Sequence, residues 1–251
     1  MSTIKSKFIL SSLMAATLAL ASASSFAAST WTLTDCSSCA GTNGAGNVTV
    51  SAWGVNNASG SFYAAATLGF NGTNGLGVLS GSESGSPEHS IDNNTRTDAL
   101  MFNFGTQKVD LDAAKIGWKS GDADISLFRY SGVAPASLST LTIAGLAGAG
   151  WQLVGNYADL VVGVDKVVNT TNTSSSWWLL SAYNSGFGTT TADGTPITGG
   201  GTVDTTLDYF KLASVTGTVT TKVPEPGALA LFGIGLVGLV ASRRRKQGQS
   251  A

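Results

Sequence analysis

In Asp124-Ile125-Ser126-Leu127-Phe128-Arg129-Tyr130, apolar side chains recur at alternate positions. That is the period of a β-strand with one face buried and the other wet. Similar short runs, punctuated by Gly, Asn and Ser, lie on both sides of it. They cover residues 31–34, 47–53, 61–68, 77–79, 99–104, 108–111 and 114–118, and then 151–157, 177–183 and 207–218. Residues 138–147 fit a short helix or a loop, and residues 160–168 are ambiguous. Eleven strands in about 190 residues predict an all-β, jelly-roll-like antiparallel sandwich with an ample core.

The two ends read differently. Lys5 and Lys7 precede an apolar run over residues 8–23, followed by Ser25-Phe26-Ala27. This is the order of a secretory signal helix over residues 1–27, recognised by the Sec export machinery and cut after Ala27. A cut after Ala28 would place Phe26 where a small residue is needed. At the other end, Pro224-Glu225-Pro226 is rigid and extended. The run 227–242 is uncharged and apolar, and Arg243-Arg244-Arg245-Lys246 stops it. A helix of that length spans about 24 Å, short of the ~30 Å hydrocarbon core. The basic cluster keeps its own side cytoplasmic, so the domain lies outside. The expected organisation is a signal peptide (1–27), a β domain (28–221) and a tail (222–251).

With both ends set aside, the charge balance changes. Six of the 14 Lys and Arg residues are Lys5, Lys7, Arg243, Arg244, Arg245 and Lys246, whereas all 15 Asp and Glu residues lie elsewhere. The part between is therefore acidic by about seven charges. No basic stripe remains to neutralise phosphates, which excludes nucleic acid as a partner.

The tripeptide, apolar helix and arginines together resemble the PEP-CTERM sorting signal of Gram-negative, exopolysaccharide-making bacteria. The resemblance implies an exosortase that cuts near Pro224-Glu225-Pro226 and releases the protein from a transient inner-membrane anchor toward the cell surface. Within the domain, Gly75-Leu76-Gly77-Val78, then His89-Ser90-Ile91-Asp92-Asn93, then Asp122-Ala123-Asp124-Ile125 are similar to the order found in exosortase-dependent surface proteins. Trp177-Trp178-Leu179-Leu180 and Asp208-Tyr209-Phe210-Lys211-Leu212 match later strands of such proteins, for which the resemblance implies no assigned activity.

Cys36-Ser37-Ser38-Cys39 has the spacing of a redox motif, but the loop 40–46 follows it rather than a helix. In an oxidising compartment the pair reads as a structural disulfide. His89 is the sole histidine, and no nucleophile elbow or phosphate loop accompanies it. Its expected role is a loop hydrogen bond to a carboxylate such as Asp92. Glu83, Glu88, Asp92 and Asp98 crowd one loop, and Asp122 and Asp124 share a strand face. Ordinary turn chemistry accounts for them. The metal alternative is Ca²⁺ on Asp92, Asp98, Asp122 and Asp124, through its preference for six to eight oxygens. Trp177 and Trp178 point to opposite faces of a strand, so one of them is a candidate for stacking sugar rings. The expected function is an exported, exosortase-processed surface or extracellular-matrix protein without catalytic activity. The alternative is a module binding exopolysaccharide, with a glycosidase third.

Overall fold

The computed structural model describes residues 27–220, apart from 57–59, 61, 64–65, 82–86, 88, 136 and 189–205. The signal segment, Pro224-Glu225-Pro226, the apolar run 227–242 and the basic stop 243–246 lie outside the described residues. Among the described residues no helix is long and apolar enough to cross a membrane.

Fifteen strands form among the described residues. They begin with β1 (Ala28–Thr32), β2 (Ser38–Cys39), β3 (Val48–Asn56), β4 (Phe62–Tyr63) and β5 (Thr67–Phe70). Next come β6 (Leu76–Leu79), β7 (Ile91–Asp92), β8 (Arg96–Asn103), β9 (Val109–Lys119) and β10 (Ile125–Tyr130). The last are β11 (Trp151–Tyr157), β12 (Asp165–Val167), β13 (Ser174–Ser175), β14 (Trp177–Ala182) and β15 (Tyr209–Val219). One sheet runs β12-β9-β15-β6-β5, with β1 and β7 also on β15 and β13 on β9. The other runs β11-β10-β14-β8-β3-β2, with β4 on β3. Both are antiparallel, so the expected all-β sandwich is present.

Some boundaries differ from the expectation, each for a local reason. Apart from Lys108, the runs 108–111 and 114–118 belong to the single strand β9, because Asp112 continues the alternation and accepts a hydrogen bond from Thr218 Oγ1 at 2.9 Å. The run 61–68 divides into β4 and β5. The very short β2, β7, β12 and β13 carry polar residues that give no periodic signal. Residues 138–147, open between a short helix and a loop, form a loop with 3₁₀ turns at Leu138–Thr140 and Ala147–Ala149.

The inner faces of the two sheets meet in one apolar cluster. Val78, Ile91, Leu111, Ile116, Phe210 and Leu212 from the first sheet face Val50, Leu100, Phe102, Leu127, Trp178 and Leu180 from the second. Burying such side chains contributes about 1.5–3 kcal/mol each before chain entropy is subtracted. Trp178 also links the layers by polarity: its Nε1 donates to the Val109 carbonyl of β9 at 3.2 Å. Trp31 does similar work at the sandwich edge. Its ring lies 4.8 Å from that of Phe104, edge to face, and its Nε1 donates to the Gly46 carbonyl.

The outer face of β10 is not wet. Ser126 and Phe128 are buried, and Phe128 joins Trp53, Val55, Leu138, Leu146, Trp151 and Leu179 in a second cluster. The chain between β10 and β11 folds back over this face, which the strand's own alternation does not foretell. Ser126 is accommodated there by a 2.7 Å hydrogen bond to Asn156.

Two ends of the sandwich can be told apart. At one, β8 turns into β9 through Phe104 and Lys108, while Ala28 of β1 sits opposite Thr218 of β15. At the other, β7, β9, β10, β11, β14 and β15 bring together Asn93, Asp122, Asp124, Asp159, Tyr183 and Asp208.

Candidate functional site

The second of these ends gathers a polar arrangement around three neighbouring carboxylates. Each of its members lies in a connection where a strand starts or stops. Asn93 follows β7, the Asp122-Ala123-Asp124 turn joins β9 to β10, Asp159 follows β11, and Asp208 precedes β15. Asp and Asn suit such positions because their short side chains bond nearby backbone amides.

Asp208 is at the centre. Its Oδ1 accepts the Asp124 amide at 2.7 Å and its Oδ2 accepts Asn93 Nδ2 at 2.7 Å. In return, Asn93 Oδ1 accepts the Asp208 amide at 2.9 Å. Asn93 Nδ2 also reaches the Tyr183 carbonyl at 3.0 Å, and Asp124 Oδ1 accepts the Asp159 amide at 2.7 Å. Asp122 Oδ1 accepts the Ala123 amide, and the Asp122 carbonyl accepts the Tyr209 amide. Asp124 and Asp208 are each 1% exposed, so these bonds act in a low-dielectric setting where they matter most. The network ties the two sheets together.

One carboxylate oxygen from each of Asp122, Asp124 and Asp208 falls within 4.8 Å of the other two. The structure thus brings Asp122 and Asp124 together as expected, but their third partner is Asp208. Asp92 and Asp98 are not part of the trio. Asp92 lies on β7 beside Tyr209 and accepts the Asn94 amide at 3.0 Å. Asp98 is buried on β8 on the same strand face as Leu100 and Phe102. Glu83 and Glu88 lie outside the described residues. Asp208 appears in the sequence near the start of the run 207–218, and nothing in its spacing marks it as the partner of residues more than eighty positions away.

His89 contributes through its backbone. Lys211 Nζ donates to the His89 carbonyl, and a Cβ at Gly77 would overlap that same oxygen. The glycine of Gly75-Leu76-Gly77-Val78 and the segment around His89 are therefore one packing unit. Lys211 is 6% exposed, with its ammonium 5.5 Å from the Trp118 ring centroid, and burial lowers its pKa from the usual lysine value.

At the opposite end, burial and the neighbouring Asp112 charge raise the pKa of Asp110 to about 6, against the hydrogen bond from Asn169. Cys36 and Cys39 form a disulfide, as expected, and Cys39 lies on the edge strand β2, which pairs with β3. Trp177 and Trp178 do face opposite ways. Trp178 is in the main core and Trp177 is half-buried against the second cluster, so neither offers a free stacking platform. Among the described residues, none of the strongly exposed large apolar side chains is a Trp.

Neither the curated proteins nor the solved structures compared with the chain give a match. A family model does match its C-terminal part, where the last strand of the sandwich has just ended. Over residues 222–246 the chain carries the PEP-CTERM protein-sorting motif.

Proposed function

We propose that the chain is a surface or extracellular-matrix protein, delivered by Sec export, processed at its tail by an exosortase and without catalytic activity of its own. The observation that carries this reading is the sorting motif at residues 222–246, placed just after Thr220, whose amide still donates to the Lys108 carbonyl at 2.7 Å. The sorting motif therefore follows the last described strand closely in sequence. The non-catalytic reading draws support from the carboxylates. A glycosidase needs two of them flanking a substrate, whereas Asp124 and Asp208 are buried and engaged with backbone amides. Exopolysaccharide binding loses the aromatic platform on which that alternative leaned.

Fractionation tests the proposal. In a host with an exosortase, the mature protein should end near Pro226 and leave the inner membrane. A Pro224→Ala, Glu225→Ala double variant should stay embedded. An intact C-terminus recovered in the inner membrane from the unaltered protein would sink the sorting reading.

The mutual approach of Asp122, Asp124 and Asp208 favours a second reading for the domain, Ca²⁺ held as a structural ion. Carboxylate oxygens suit this hard cation, and the trio would supply three of its six to eight ligands.

A further inference from the structure

Ala28, the residue after the expected leader cut, lies directly opposite Thr218 in the β1–β15 ladder. The sorting motif begins at residue 222. The two segments expected to enter the membrane therefore leave the domain side by side, at one end of one sheet. Around them, Asn43 Nδ2 donates to the Ala28 carbonyl at 2.6 Å, Gln107 Oε1 accepts the Gly46 amide at 3.0 Å, and Lys108 is exposed. Two carboxylates on that side are held by partners, buried Asp110 by Asn169 and half-exposed Asp112 by Thr218. The opposite end carries the half-exposed Asp122 and the exposed Asp159 above buried Asp124 and Asp208, with the half-exposed Lys119 as a neighbouring cation.

The tail is also a short leash. From Thr220 to Gly227, where the apolar run starts, even a fully extended chain spans at most about 25 Å. The eleven residues of β9 alone measure about 36 Å along the sandwich. With the strands upright and the domain inverted, the acidic end is then out of reach of a membrane in which the apolar run is seated. An anionic lipid surface adds to the preference, since it repels carboxylates and attracts Lys108 and Lys222 within about 8–10 Å at physiological salt.

We propose that, before the tail is cut, the end bearing Ala28, Asn43, Lys108 and Thr220 faces the lipid headgroups and the acidic end points away from them. This rests on the reading of the tail as a membrane anchor, and the experiment separates the two. The full-length chain, with its disulfide kept intact, would carry a fluorophore on either Thr106→Cys or Ser120→Cys, both exposed positions at opposite ends. Each would be reconstituted in vesicles of phosphatidylethanolamine and phosphatidylglycerol containing a headgroup quencher. Floating vesicles should carry the protein, with loss of fluorescence at position 106 and none at position 120. Flotation with equal loss at both positions, or greater loss at 120, overturns the orientation alone. Protein left behind by the vesicles overturns the anchor reading, and the orientation with it.

Discussion

Asn93 and Asp208, 115 positions apart, exchange two hydrogen bonds: side chain to side chain at 2.7 Å and backbone amide to side chain at 2.9 Å. The exchange fixes the start of β15 against the end of β7, and through Tyr183 it reaches the second sheet. Asn93→Ala removes the donor and the acceptor together and strands the Asp208 amide. The expected loss is about 2–4 kcal/mol in urea denaturation. A loss below about 0.5 kcal/mol, the level of an ordinary surface change, would show that the clamp is incidental.

Calcium addresses the same end by a different measurement. If the Asp122–Asp124–Asp208 trio holds the ion, millimolar Ca²⁺ should raise the melting temperature of chelator-stripped protein, because a ligand bound only to the folded state stabilises it. Asp208→Asn should abolish that increment. An unchanged melting temperature of the unaltered protein would leave the trio as a hydrogen-bonded clamp alone.

Gly77→Ala tests the packing unit around His89. The new methyl group would meet a backbone carbonyl, which cannot swing aside as a side-chain tip can. A loss of about 1–3 kcal/mol is expected, as for other overpacked sites. Wild-type stability in the variant would show that His89 and Ser90 do not rest on β6.

Asp110 gives a pH dependence with a defined sign. Its folded pKa of about 6 lies above its ordinary value of 3.8, so the folded state holds this proton more tightly than the unfolded chain. The stabilisation is complete below about pH 4 and is lost as pH rises through 6. Asp110→Asn, which does not titrate, should therefore gain stability relative to the unaltered protein between pH 4 and pH 7. A difference that stays flat across that window would contradict the assignment.

Cys36 and Cys39 should resist alkylation in native exported protein and react after reduction. Replacing both with serine should cost about 2 kcal/mol, the small value expected for a short closed loop. Quantitative labelling without reductant would remove the disulfide from the account.

Much of the architecture was legible because sandwich strands announce themselves by alternation. Residues 151–157 are predicted and observed alike, and Asp124 to Tyr130 is misplaced by one residue. What alternation does not report is what lies above a strand's outer face, which is why Phe128 and Ser126 are buried against expectation. The site was legible in part for a related reason. Asp122 and Asp124 are near neighbours in sequence, whereas Asn93 and Asp208 meet them only through the sheet order. Asp92 and Asp98 show the converse, since density in sequence did not make them members of the trio. Paired cysteines in an exported chain have one obvious partner each, and that pairing needed no topology.

The placement of β15 has a consequence for the order of events during synthesis and export. This last strand pairs with β1, β6, β7 and β9, so the first sheet lacks its middle until residues 209–219 have crossed the membrane. Contacts between the first and last strands are the most distant in sequence, and such pairings form late. A chain that ends before β15 therefore has no complete core to collapse around. Chains truncated at Leu207 should accordingly be degraded by added protease under conditions in which the full domain survives. The fold finishes only when its final strand arrives, and the sorting motif follows it in the chain.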